Sequence, residues 1–170
     1  MVHLDKPQKN PPAFNIPNVV LILAVTMIVI HLIRVYILSD EQGFWLILTF
    51  AFIPARYAAD IGANTLPAGF VFPGGLAADI WSYVTYGFLH GDWTHLIVNL
   101  LWMVAFGSAV ARRFGARRFL LLSCFATIGG AILHQVFHAG ELVPMIGASA
   151  AVSGHMGAAV RFAFTGQRPL

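Results

Sequence analysis

Long apolar stretches alternate with short polar ones along this chain. Residues 18–38 read NVVLILAVTMIVIHLIRVYIL, a nearly unbroken apolar run. About 20 such residues cross a bilayer, so the run predicts a first transmembrane helix, with Arg34 near its far end able to carry its charge out to the interface. Residues 39–82 form a long connector that holds Asp40, Glu41, Asp60 and Asp79 against Arg56. Its apolar run at 44–53, closed by Pro54, is short for a span and predicts a helix lying in the membrane interface. Turns are expected at 64–69, NTLPAG, and at Pro73-Gly74-Gly75. A second span lies within 93–110, beginning as early as Val84, and a third at 119–137 contains Gly129-Gly130. After a loop at 138–145, a fourth span at 146–164 is built largely of Gly, Ala and Ser, residues that let helices approach closely inside a bundle. Residues 1–17 are a polar, proline-rich tail, too long and polar for a secretory signal. The expected fold class is therefore all-α: a polytopic transmembrane helix bundle at 18–170 behind the tail at 1–17, with 39–82 as an outer connector.

Composition sharpens the class. The chain is 58% apolar and 10% charged, against about 45–50% and about 25% in soluble domains. That excludes a disordered chain and leaves too little polar surface for a water-soluble globule. One cysteine excludes a disulfide framework and a multi-cysteine zinc site, and Cys124 in the third span reads as an inert packing residue. The net charge of +3 does not signal nucleic acid, and no nucleic-acid partner is expected. The basic residues fall in three clusters, Lys6 and Lys9, then Arg112, Arg113, Arg117 and Arg118, then Arg161 and Arg168, with apolar runs between them. This is the pattern of cytoplasmic loops. It predicts a cytoplasmic N-terminus, outer faces for the connector and the 138–145 loop, arginines at 112–118 that touch anionic headgroups, and four crossings that return the chain to its starting side.

Strongly polar groups inside apolar spans are costly unless partnered, which makes them functional candidates. Three stand out: His95, Asn99 and Ser149. His95 and Asn99 are four positions apart, a net rotation of roughly 40° on a helix, so both donors project from one face. His90, five positions before His95, falls about 140° away on the same helical reckoning and would brace the connector instead. Ser149 follows Pro144 and Gly147 and opens the fourth span, where free backbone N–H groups and the helix dipole favour a developing oxyanion. The topology sets all three at similar depth toward the outer leaflet. Blander roles fit the same residues: His95 and Asn99 as interhelical adhesive, Ser149 as a helix cap, with Ser153 one turn on as a second small polar group. Rival membrane chemistries lack their parts. There is no H-E-x-x-H for a zinc protease, and no span carries a central carboxylate for an aspartyl dyad or a proton-coupled carrier. Serine chemistry remains.

The segment His90-Gly-Asp-Trp-Thr-His95-Leu-Ile-Val-Asn99 resembles the H-x4-H-x3-N signature of rhomboid intramembrane serine proteases. The lead-in at 81–90 looks like theirs. Gly147-Ala148-Ser149-Ala150 resembles their G-x-S-G motif, Gly157 matches a packing glycine on that helix, and Phe52-Ile-Pro-Ala-Arg56 is similar to a stretch in bacterial members. The resemblance implies an endopeptidase of the bacterial inner membrane acting on transmembrane protein substrates within the lipid bilayer, without cofactor or metal. It implies Ser149 as nucleophile, an oxyanion hole from His95, Asn99 and the Ser149 N–H, and an acyl-enzyme intermediate. Two departures accompany it. Ala150 stands where the motif has its second glycine, and no A-H-x-x-G-like segment supplies the family's base histidine on a sixth span. The expectation is four spans of six, a chain truncated before the last two, inactive by itself. The alternative is a rhomboid-like pseudoprotease that binds transmembrane clients without cleaving them; a small carrier or channel has less in its favour.

Overall fold

The computed structural model describes residues 15–58 and 70–165. Residues 1–14 of the expected tail at 1–17, the expected turn at 64–69 and residues 166–170, with Arg168 of the last basic cluster, lie outside the described residues. Among the described residues six α-helices follow in order: α1 (Asn18–Tyr36), α2 (Asp40–Phe50), α3 (Gly75–Thr85), α4 (Trp93–Trp102), α5 (Ser108–Phe137) and α6 (Ser149–Thr165). Among the described residues the only β-type pairing is a single bridge between Phe52 and Met145, so the fold is all-α as expected.

Among the described residues two helical stretches are long and apolar enough to cross a membrane: Asn18–Tyr36, with a mean hydropathy of 2.5, and Trp93–Phe137, 45 residues with a mean hydropathy of 1.7. Only 22% and 17% of their most apolar windows are buried within the protein. A soluble core helix would bury that surface; here the apolar side chains face outward and require a non-aqueous surrounding. The second stretch is about 68 Å long at 1.5 Å per residue, enough for two crossings. It is interrupted at Gly115, whose φ of 80° and ψ of 166° leave the helical region, a conformation open to glycine. The arginines at 112–118 flank this break. Earlier in the same stretch, residues Met103–Gly107 form a π-helical turn between α4 and α5.

α2 begins further upstream than the apolar run suggested. Ser39 and Gln42 form a reciprocal capping box, with Asp40 and Glu41 in the first turn, which satisfies free N–H groups and complements the dipole. At 11 residues it is too short to span. α3 was not foreseen. Gly74 and Gly75 adopt positive φ at its start, so the expected turn becomes a helix entry. Its buried face is the small pair Ala78 and Ser82, while Leu76 and Ile80 are 76% and 67% exposed. This reverses the pattern of a water-soluble amphipathic helix, which is why the stretch reads as connector.

Side chains bolt the segment after α2 to α3. The Arg56 side chain, 2% exposed, donates from Nη1 to Asp79 Oδ1 at 3.1 Å and to the Pro73 carbonyl at 3.2 Å, donates from Nη2 to the Leu48 carbonyl, and lies over the Phe72 ring. Tyr57 Oη shares a 2.6 Å hydrogen bond with Ser82 Oγ and donates to the Asp79 carbonyl. Burial raises the Tyr57 phenol above its ordinary range, against the pull of the Ser82 bond, and so keeps it a neutral donor. Trp81 Nε1 and Thr85 Oγ1 donate to the Thr49 and Phe50 carbonyls at the end of α2.

α5 and α6 pack through their smallest residues. A Cβ added at Gly154 would lie 2.6 Å from Ala126 Cβ, and one at Gly130 would lie 2.6 Å from Ala150 Cβ and 2.9 Å from Tyr86 Oη. Gly157, expected to be the packing glycine of this helix, has nothing within 4 Å of such an atom. The glycine that brings the backbones together in the described structure is Gly154, on the face turned to α5.

This contrast is testable by thermal unfolding in detergent. Gly154→Ala forces two backbones apart and is expected to cost about 1–3 kcal/mol. Gly157→Ala meets no neighbour and gains helix propensity, so its midpoint should stay level or rise.

Candidate functional site

The site is built where the turn into α4 meets the turn into α6. Asp92 caps α4, its Oδ1 accepting the His95 N–H at 2.8 Å. That cap begins the helix at Trp93 and places His95 in its first turn and Asn99 one turn on. The 145–148 segment is fixed on its other side by backbone bonds. Phe52 and Met145 exchange both N–H···O bonds at 3.2 and 2.8 Å, Ala55 N–H donates to the Glu141 carbonyl at 2.9 Å, and Gly147 N–H donates to the Tyr86 carbonyl at 3.0 Å. Tyr86 is fully buried and donates from Oη to the Thr127 carbonyl at 2.8 Å, so one residue ties α5 to the strip leading into α6.

Gly147 carries the closest approach. Its φ is 115°, and an added Cβ would lie 2.6 Å from His95 Nε2 and 2.7 Å from Cε1. The imidazole therefore rests on bare backbone two residues before Ser149. On the other side of the ring, His95 Nδ1 accepts the Gly91 N–H at 3.5 Å. With Nδ1 placed to accept, the nitrogen left to donate is Nε2, which faces the 147 backbone. Asn99 is buried, and its Nδ2 donates one hydrogen to the His95 carbonyl at 2.9 Å, leaving its second N–H uncommitted.

Ser149 is the first residue of α6 and is exposed. Its hydroxyl makes no hydrogen bond to another described residue. His95 is thus brought against the turn that presents Ser149, while Asn99 stands behind His95 on the same helix and bonds to its carbonyl. No bond joins Ser149 to His95 or Asn99 among the described residues.

His90 departs from the helical-wheel expectation. Residues 86–88 are a 3-10 turn and the chain is not helical from Leu89 to Asp92, so a rotation counted along a helix does not apply. The His90 ring lies 5.2 Å from the His95 ring, is 1% exposed, and accepts the Ala148 N–H on Nε2 at 3.4 Å. It braces the turn before Ser149 rather than the connector. Arg34 in turn donates from Nη2 to the His90 and Gly91 carbonyls, both at 2.6 Å, and His31 meets the Trp93 ring edge-on at 4.6 Å. The end of α1 thereby fixes the entry to α4.

The other described histidines point elsewhere. His155 is fully buried, stacks on Phe119 at 4.7 Å and hydrogen-bonds Ser123 Oγ through Nε2 at 2.8 Å, so it faces α5, as its position on the helix wheel implies. His134 packs on His138, with ring centres 4.4 Å apart, and His138 pairs with Glu141 at 3.0 Å. Sequence reasoning passed over Tyr86, Asp92 and the role of His90. Only Asp92 left a readable mark: an N-cap residue directly ahead of an apolar helix.

The outward apolar surface and the polar groups seated near one end of α4 and α6 define a membrane-embedded helical protein with an unspent serine hydroxyl. Residues 77–170 match the family model described as Rhomboid domain, more than half of the chain, and the chain belongs to the rhomboid family. It is similar to Rhomboid-like protein 16, chloroplastic, of Arabidopsis thaliana, 34% identical over 68 residues, which is 40% of this chain and 21% of that protein. RHOMBOID-like protein 4 of the same plant is 35% identical over 77 residues, 45% of this chain and 19% of that protein. Rhomboid protease GlpG of Enterobacter sp. (strain 638) is 28% identical over 78 residues, 44% of this chain and 28% of that protein. The matched regions span between about a fifth and somewhat over a quarter of these relatives' lengths.

Gly147→Ala should break the site's backbone: it requires a positive φ and puts a methyl group into the His95 ring, at an expected cost of about 2 kcal/mol or more. Gly91→Ala, whose methyl would meet His95 Nδ1 and Ile146 only at 3.9 Å, should stay within about 0.5 kcal/mol. Chemical denaturation of the two variants in detergent checks the difference.

Proposed function

We propose that this chain carries the reaction centre of an intramembrane serine endopeptidase that cleaves transmembrane protein substrates. The observation that carries the reading is the His95 imidazole resting on Gly147, with its Nε2 on the turn that presents the free Ser149 hydroxyl. In this reading Ser149 Oγ attacks the scissile carbonyl. The negative charge that develops on the carbonyl oxygen is met by the Ser149 N–H at the helix start, by His95 Nε2–H and by the remaining Asn99 N–H. Collapse of the tetrahedral intermediate expels the amine and leaves an acyl-enzyme, which water hydrolyses.

The proton on Ser149 needs an acceptor. None of the described histidines bonds to its hydroxyl, and His155, the one on its own helix, is spent on Ser123. The acceptor is therefore to be sought in a further segment or partner that closes on α6, and the described residues alone are expected to be inactive. The absence of a bonded base also favours a second reading, a rhomboid-like pseudoprotease that binds transmembrane clients without cleavage. The domain division follows the sequence reading: a polar tail at 1–17, a membrane domain at 18–170 and an outer connector at 39–82. The basic clusters support a cytoplasmic N-terminus, and the resemblance of the 52–56 stretch to bacterial members supports a bacterial inner-membrane location.

The test is fluorophosphonate labelling and cleavage of a reporter transmembrane substrate by the product of the whole gene in membranes. Labelling is expected on Ser149 and lost in Ser149→Ala. Removing one oxyanion donor in Asn99→Ala should lower cleavage by about 10²–10³-fold while the protein stays folded. A folded product that retains a client segment but takes no probe would make the chain a binder.

A further inference from the structure

A cavity of about 540 Å³ opens between the end of α1, the start of α2 and the loop ahead of α6. It lies beside the site described above but shares none of its three reacting residues. Leu38, Phe44, Ile47 and Pro144 form apolar walls, and Arg34 and Asp40 also line it. These two carry opposite charges, yet no ion pair joins them, whereas Arg56 pairs with Asp79 and His138 with Glu141. Nor is the Arg34 guanidinium fully used. Nη2 is committed to the His90 and Gly91 carbonyls, and Nε is buried without a partner, which leaves Nη1 to meet a ligand. A cavity with one unmatched cation, one unmatched carboxylate and apolar walls is complementary to a molecule that carries both charges at one end and a hydrocarbon chain at the other.

We propose that this cavity binds the headgroup of a zwitterionic phospholipid, phosphatidylethanolamine, with its phosphate on Arg34, its ammonium on Asp40 and its acyl chains along Phe44 and Ile47. The size lies within the ordinary range of small-molecule sites, about 300–1,000 Å³. Asp40 sets the headgroup. An anionic phosphatidylglycerol would place its charge beside the carboxylate with no ammonium to neutralise it. Phosphatidylcholine would present a cation with no N–H to donate. A polypeptide segment would present neutral amides and leave both charges unmet. The inference depends on the chain lying in a bilayer, not on Ser149 being a nucleophile, so it stands apart from the proteolytic reading.

Native mass spectrometry of the full chain released from detergent tests it, with phosphatidylethanolamine, phosphatidylcholine and phosphatidylglycerol of identical acyl chains added in competition. The wild-type chain should retain one phosphatidylethanolamine with about a fivefold preference over the other two, the upper end of what an exposed ion pair contributes. Asp40→Asn should abolish that preference, and Arg34→Gln should lose retention of all three lipids. Because Arg34 also holds the turn into α4, its loss of lipid could follow from misfolding; Asp40, exposed on the first turn of α2, gives the discriminating variant. Equal retention of the three lipids by the wild-type chain overturns the proposal, as does an unchanged preference in Asp40→Asn. Displacement of the bound phosphatidylethanolamine by a transmembrane peptide would assign the cavity to polypeptide and overturn it as well.

Discussion

The absence of a side chain at residue 147 is the constraint on which the rest of the site depends. With φ at 115° and the imidazole of His95 occupying the space of a Cβ, no L-residue with a side chain fits without moving one of the two elements. Each neighbouring bond maintains that approach. The Tyr86 carbonyl holds the Gly147 N–H, His90 holds the N–H of Ala148, and the Phe52–Met145 bridge fixes the strip upstream. Behind them, Arg34 fixes the His90–Gly91 carbonyls to the end of α1. Three parts of the chain far apart in sequence converge on one turn, which is what presents a hydroxyl in a defined direction at the start of α6.

The packing follows the rules of a lipid solvent. Hydrophobic burial offers little drive between helices when the surroundings are themselves apolar, so close backbone approach and buried hydrogen bonds take its place. Gly154 against Ala126, and Gly130 against Ala150 and Tyr86, supply the approach. Ser123 with His155, Tyr86 with Thr127, and Arg56 with Asp79 supply the bonds. The large side chains Phe125, Leu133 and Val136 face outward. In the connector, Arg56, Tyr57 and Trp81 are spent on carbonyls, on Asp79 and on Ser82, which allows irregular backbone to lie against membrane helices.

The stretches at Asn18–Tyr36 and Trp93–Phe137 are legible because they are long and apolar enough to cross a bilayer, and their low burial within the protein agrees with the class drawn from them. His95, Asn99 and Ser149 were legible as candidates because polar groups are conspicuous in apolar runs. What the pattern could not reveal depends on long-range geometry. α3 hides because its small face is the buried one. His90 escapes a helical-wheel reading because residues 89–92 are not helical. Gly157 was chosen from a motif, whereas the choice between Gly154 and Gly157 is made by where α5 lies. The cavity beside Arg34 and Asp40 needs three separate elements to meet and leaves no local mark on the sequence.

The π turn at Met103–Gly107 has a consequence for the register of the whole second membrane stretch. A π turn holds an extra residue relative to an α turn, and such wide turns are commonly found at functional sites. It lies between α4, which carries His95 and Asn99, and α5, which carries the partners of Tyr86 and His155. The extra residue is absorbed within the wide turn, so deleting one residue there would restore an uninterrupted α helix and leave α4 and α5 nearly in phase, whereas deleting one residue from the regular α turns beside it would swing α4 by about 100° relative to α5. His95 would then leave Gly147 and turn toward lipid, although neither residue had been altered. Length in this stretch matters more than side-chain identity.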